Sequence, residues 1–193
     1  HTFHTFHTFH TFHTFHTLNT LNDTSNNQTN PMSTAPNKFL ELIQNPVKFT
    51  FFLLTRLPAA FFSGVRLKYA DEKQSVVTIP YKWFSKNPFK STYFACLSMA
   101  AEMSTGILAM MYTYQQTPTI SLLVIKVEGS FFKKATGITT FTCDDGLSFQ
   151  QAVREAAASG KSTTVEARSI GKDDSGDIVA EFVITWSFKA KAN

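Results

Sequence analysis

Glu102 is the only charged side chain between Lys90 and Lys126, and it stands in the middle of the most apolar stretch of the chain. Taking an unpaired carboxylate out of water costs several kcal/mol, so such a group either finds a cation or keeps its proton. A carboxyl whose pKa is raised in this way suits a general base working near neutral pH. The competing expectation is a structural glutamate, paired with a lysine or arginine from another strand or another subunit.

Few other groups nearby can do chemistry. All six histidines lie between His1 and His16, so residues 32–193 contain none. Ser-His-Asp and Cys-His catalysis are thereby excluded from that span, as are ordinary His-ligated metal sites, and two separated cysteines argue against structural zinc. The expectation is no metal and no cofactor. Cys96, with no histidine to activate it, reads as a small buried apolar residue. Ser104 and Thr105 lie within a turn of Glu102 and have the ordinary role of core hydroxyls, Thr105 being kept also as a substrate-binding candidate. Lys133 and Lys134 could meet nucleotide phosphates, although paired lysines are usually just solvated.

Elements must position these groups. Ser91 or Thr92 can cap a helix running to about Tyr112, and its apolar residues, from Phe94 and Leu97 to Met110 and Met111, go round every face. Such a helix belongs inside a protein. Ahead of it, a helix is expected from Lys38, capped by Asn37, complicated at Pro46 and ended by Pro58. Alternation predicts strands over Phe61–Tyr69 and Ser75–Tyr81, with Trp83–Lys90 a loop. Behind the helix, strands are expected over Thr119–Lys133 and Gly137–Cys143. Asp144-Asp145 is a turn, and a surface helix is opened by a capping box at Ser148–Gln151 and stopped by Gly160. Two last strands, Ser162–Ile170 and Asp177–Phe188, flank a Gly-Lys-Asp-Asp-Ser-Gly turn. Hairpin-length links imply an antiparallel sheet, curled around the apolar helix.

The totals agree with one α+β domain. The 193 residues are 43% apolar and 17% charged, and the formal charge is a mild +4. The lysines read as scattered, so no nucleic-acid surface is expected, although weak attraction for anionic small molecules remains. Two thiols make no disulfide framework, which points to a reducing, cytoplasmic setting. No membrane span is expected: the run Phe49–Phe62 carries Arg56 and Pro58 and is shorter than the roughly 20 residues a spanning helix needs. The start lacks the basic and apolar regions of a signal peptide. A decaying His-Thr-Phe repeat predicts a disordered or non-native leader over residues 1–37, against the metal binding that a His-rich tract can serve, with Met32 as an ordinary start, and a folded domain over 38–193.

The order Asn87, then Tyr93-Phe94-Ala95, then Glu102 resembles the signature of the hotdog-fold acyl-CoA thioesterase superfamily, in a bacterial branch. There an asparagine is followed six residues later by a His-Gly-Gly-type turn opening the central helix, and an Asp or Glu stands nine residues after that His. The spacings here are also six and nine. The run from Phe132 to Gly137 is similar to the superfamily's kink between its third and fourth strands, and the resemblance spans roughly residues 61–188. It implies a curved antiparallel sheet around a long buried central helix, with an added N-terminal helix. It further implies a homodimer or dimer of dimers that binds an acyl thioester at the subunit interface.

Under that resemblance Glu102 is the general base on water, or less readily a nucleophile. Asn87 orients water or substrate. The backbone amides of Phe94 and Ala95 polarise the thioester carbonyl, as free N–H groups at a helix start can. Tyr93 contacts substrate or merely packs. Phe94 departs from the small residue of the pattern. That departure and the missing histidine favour a second reading, a non-catalytic acyl-ligand-binding protein of the same fold. Dehydration or isomerisation of an acyl thioester is a third.

Overall fold

The structure, a computed structural model, describes residues 35–191. Three short helices open it: α1 (Ala35–Gln44), α2 (Pro46–Arg56) and α3 (Pro58–Ser63). One helix was expected over this stretch. Pro46 divides it, because a proline lacks the N–H that a helix interior needs yet suits the first helical position. Asn45 caps the new helix, its side-chain oxygen accepting from the amides of Val47 and Lys48 at 3.1 Å each. Pro58 does not end the helical region either. It starts α3, which closes at Gly64 in the left-handed conformation, φ 85°. Phe61–Ser63 are therefore helical, and the first strand, β1, is confined to Arg66–Ala70.

The chain continues through β2 (Ser75–Pro80), a single 3-10 turn at Trp83–Ser85, and the central helix α4 (Phe94–Thr113). Then come β3 (Ile120–Phe131), β4 (Ile138–Cys143), α5 (Gly146–Ser159), β5 (Thr163–Lys172) and β6 (Ile178–Ala190). The six strands form one curved antiparallel sheet in the order β1-β2-β4-β5-β6-β3. α4 touches all six, as a helix apolar on every side requires. By length and composition α4 could cross a membrane, but two thirds of its most apolar window is buried within the fold.

The core lies between sheet and helix. On β6, Phe182, Ile184, Trp186 and Phe188 are buried in alternation, as expected, and meet Ile107, Leu108 and Met111 of α4 in one cluster. Three caps differ from expectation, the first being Asn37, which lies inside α1 because that helix already starts at Ala35. Thr92 is occupied by the Ala135 carbonyl, to which its amide and hydroxyl both donate, so Tyr93 is the N-cap of α4. α5 starts two residues before the expected capping serine, with Asp145 as N-cap. Gly146 makes this possible: its amide donates to the Lys73 carbonyl, and a Cβ there would collide with the backbone of Glu72 and Lys73. The leader expected over residues 1–37 lies outside the described residues, apart from its last three, which open α1.

Candidate functional site

Glu102 sits on α4 along a stripe that neither the sheet nor the helices packed on α4 fully cover. Ala95, Ser98, Met99 and Glu102 are each half-buried and recur every three or four residues, so they share a face. Part of the Glu102 surface stays open, yet protein atoms crowd its carboxyl closely. Desolvation alone raises its pKa from 4.5 to about 7. Among the described residues no cation and no hydrogen-bond donor meets the carboxyl. The structural ion pair that competed with the general base is not formed within this subunit.

Gly106 and Trp186 shape the wall beside it. A Cβ on Gly106 would lie 3.3 Å from Oε1 of Glu102 and 3.4 Å from the Trp186 ring. Glycine one helical turn from the carboxyl thus leaves room for both. Thr105 holds the ring: the indole N–H of Trp186 donates to Thr105 Oγ1 at 2.9 Å, and that hydroxyl donates to the Glu102 carbonyl at 3.0 Å. Ser104 faces the sheet, bonded to Ala101 O and to Ser169 Oγ, each at 2.7 Å. Gly106 and Trp186 were not singled out for the site from sequence. The inward alternation of β6 placed Trp186 in the core, and only the fold brings it to the turn after Glu102.

The other candidates gather at the start of α4. Tyr93 is exposed, its hydroxyl has no partner among the described residues, and its ring meets that of Phe94 edge-on at 4.8 Å. The amides of Phe94 and Ala95 have no acceptor among the described residues, as the first N–H groups of a helix do not. The Phe94 ring stands edge-on to Phe131 of β3 at 6.4 Å. Asn87 builds the preceding loop: its Oδ1 accepts from the amides of Phe89 (2.9 Å) and Ser91 (3.2 Å), and its Nδ2 donates to Ser91 Oγ (3.1 Å).

The rise of a helix puts the free amides and Glu102 about 10 Å apart along α4. One subunit therefore presents donors at one end of an open face and a carboxyl further along it.

Other titratable groups are engaged elsewhere. Lys133 donates to Asp173 and Asp177 at 2.7 and 2.6 Å, and these bonds push its pKa up to about 12. Lys134 reaches the Phe89 carbonyl at 3.4 Å. Cys96 is buried against Ser63. Burial pushes the Cys143 thiol up to about 12, a poor state for a metal ligand or nucleophile. Among the described residues no three His, Cys, Asp or Glu side chains converge.

No protein-family model matches the chain, and no curated protein matches it. Solved structures do. A Pseudomonas aeruginosa protein described as a probable thioesterase is 20% identical, covers 76% of this chain and 97% of its own, and superposes with a TM-score of 0.64. A protein of Chlorobaculum tepidum, 14% identical, covers 84% of this chain and all of its own at 0.66. A thioesterase of Haemophilus influenzae, 9% identical, covers 72% and 88% at 0.54. The chain has the hotdog fold. In hotdog terms α4 is the central helix, β1 and β3 are the two sheet edges, and three helices precede the sheet. The element order read around Asn87, Tyr93 and Glu102 is that of this fold.

Proposed function

We propose that this hotdog protein hydrolyses acyl thioesters, acyl-CoA or a related carrier, with Glu102 as general base. The observation that carries this is a carboxyl with a pKa near 7 and no partner in its own subunit, on the helix whose start leaves two amides free. A group ionising there is half deprotonated at neutral pH and strong enough to take a proton from water. The water oxygen adds to the thioester carbonyl carbon as its proton passes to Glu102. The amides of Phe94 and Ala95 hold the oxyanion. The C–S bond then breaks, and the proton on Glu102 goes to the leaving thiolate.

The roughly 10 Å between amides and carboxyl is too far for one carbonyl to use both from a single chain. A homodimer resolves this, with Glu102 of one copy serving the amides of the other. The unpaired edge of β3 supports such pairing. Leu123, Ile125 and Val127 are all more than half exposed there, and an open apolar edge is a template for a second strand. Asn87 acts here through the loop it ties, which sets where α4 begins. Tyr93 offers a free hydroxyl donor to the substrate. Thr105 serves by holding Trp186 beside the carboxyl. Both cysteines are free and buried, which suits a reducing, cytoplasmic setting.

Acyl-ligand binding without turnover is favoured by one observation, the Asn87 side chain being tied to its own loop by bonds at both Oδ1 and Nδ2. A panel of acyl-CoA substrates followed by free-thiol release separates the two. Hydrolysis abolished in Glu102→Ala with an unchanged circular dichroism spectrum supports the enzyme. Acyl-chain binding with no thiol release, unaltered by Glu102→Gln, contradicts it.

A further inference from the structure

The nine residues Lys82–Lys90 contain three lysines, three large aromatic residues and no acid. The aromatic side chains point away from the core: Trp83 is 78% exposed, Phe89 72% and Phe84 51%. Water is a poor environment for rings of this size, and a monomeric surface rarely gathers them without use. The loop is nevertheless firmly built. Ser85 Oγ donates to the Pro80 carbonyl at 2.6 Å and accepts from the Lys82 amide at 3.0 Å. The Tyr93 amide donates to the Ser85 carbonyl at 2.7 Å, and Asn87 ties the second half. The rings are displayed by a rigid frame, so little ordering cost attends their burial against a partner.

The patch continues beyond the loop. Trp83 meets Phe84 at 6.0 Å, and Phe84 meets the half-exposed Phe62 of α3 at 5.8 Å. Next to α3 in the chain, α2 turns Val47, Phe51 and Leu54 outward at a four- and then three-residue spacing. Around the aromatic tip the charge has one sign. Lys134 brings a fourth ammonium group to the Phe89 carbonyl. Among the described residues none of Lys82, Lys86, Lys90 and Lys134 meets an acid within ion-pair distance.

We infer that the Lys82–Lys90 loop is a docking surface for an anionic lipid bilayer. Tryptophan and phenylalanine settle at the boundary between headgroups and acyl chains, while lysines around them meet anionic headgroups. A second copy is a poor occupant, because a two-fold contact of this patch with itself sets lysine against lysine. A single-stranded nucleic acid would use the rings and lysines but gains little from the apolar α2 stripe of Val47, Phe51 and Leu54. The inference is independent of the hydrolysis proposed above, since no step of that chemistry uses these side chains.

The test is cosedimentation of the full chain with vesicles of phosphatidylcholine alone and of phosphatidylcholine mixed with phosphatidylglycerol, with Trp83 fluorescence as a second readout. Sedimentation with the mixed vesicles, weakened by salt, is expected, together with a blue shift of emission. Trp83→Ala with Phe89→Ala, and separately Lys82→Glu with Lys86→Glu, should each weaken partitioning about ten-fold while thermal melts match the parent. Trp83→Phe keeps an apolar ring and should retain sedimentation while losing the blue shift. The inference is overturned by absence of sedimentation with the mixed vesicles, or by equal sedimentation of all variants. It is equally overturned by oligothymidylate displacing the protein from the vesicles, or by a change of oligomeric state in the lysine variant that accounts for its loss.

Discussion

At Glu102 the quantity that matters is the work of ionising a carboxyl that has no partner. Its pKa rises from 4.5 to about 7 because protein atoms replace water around the charged form. The sign for stability follows directly. A folded-state pKa above the unfolded one means the folded chain holds the proton more tightly. The stability from this group is therefore fully present below about pH 4.5 and is lost as the pH rises through about 7. The loss is on the order of 3 kcal/mol when complete. Glu102→Gln, which cannot ionise, should melt like the parent at pH 4 and higher than it at pH 8; equal melting temperatures at both values would contradict the desolvated carboxyl. A lone acid among apolar residues was visible in the sequence without any fold. Its immediate setting was not. Gly106 and Trp186 are separated by most of the sheet in the chain, and only β6 lying under α4 makes them neighbours. Thr105 was legible as a core hydroxyl but not as the acceptor that fixes the Trp186 ring.

At the level of elements, alternation marks β1, β2 and β6 and apolar spacing marks the two long helices, because burial on one face or on all faces leaves a repeating signature. Ends were less legible, since caps depend on what else competes for the capping residue. Thr92 looked like a cap and is used by Ala135. Ser148 looked like a cap and lies inside α5. Asn45 escaped notice because Pro46 was read as a disturbance and not as a start. Removing this cap in Asn45→Ala should cost about 1 kcal/mol of stability in denaturant titration and leave hydrolysis unchanged. Gly146 is stricter. With backbone of Glu72 and Lys73 where its Cβ would go, Gly146→Ala must displace either α5 or the β1–β2 turn. A loss of about 1–3 kcal/mol is expected from the same measurement. Tyr112, whose hydroxyl donates to the Glu72 carbonyl at 2.6 Å, should register the displacement in its near-ultraviolet signal.

The whole molecule explains why the site looks incomplete in one subunit. The sheet and the helices α1, α3 and α5 pack around α4 but leave the stripe bearing the carboxyl partly open, and the free amides lie at the start of the same helix. β3 at the sheet edge is twelve residues long and leaves Leu123, Ile125 and Val127 open. A second copy meeting this edge would cover the apolar residues and bring its own Glu102 toward the first copy's helix start. Changing Leu123 and Val127 to Asp should shift the sedimentation coefficient from dimer to monomer. Thiol release should fall with it, while the far-ultraviolet spectrum persists. A monomeric variant that retains full activity would mean that one subunit suffices. The antiparallel sheet around a helix could be read from alternation and link length, because those signals are local. Pairing between copies could not, because an exposed valine on an edge strand carries the same local pattern as one facing a core.

The central claim is that an unpaired, desolvated carboxyl at position 102 removes the proton from the attacking water. The measurement that reaches it most directly is the pH dependence of kcat/KM for hydrolysis of an acyl-CoA, in the parent and in Glu102→Gln. The parent's kcat/KM should rise with pH and level above an apparent pKa near 7. The variant should be about a hundred- to ten-thousand-fold slower, with that inflection gone. A variant that keeps the parent's rate, or the same inflection near 7, would contradict this role for Glu102.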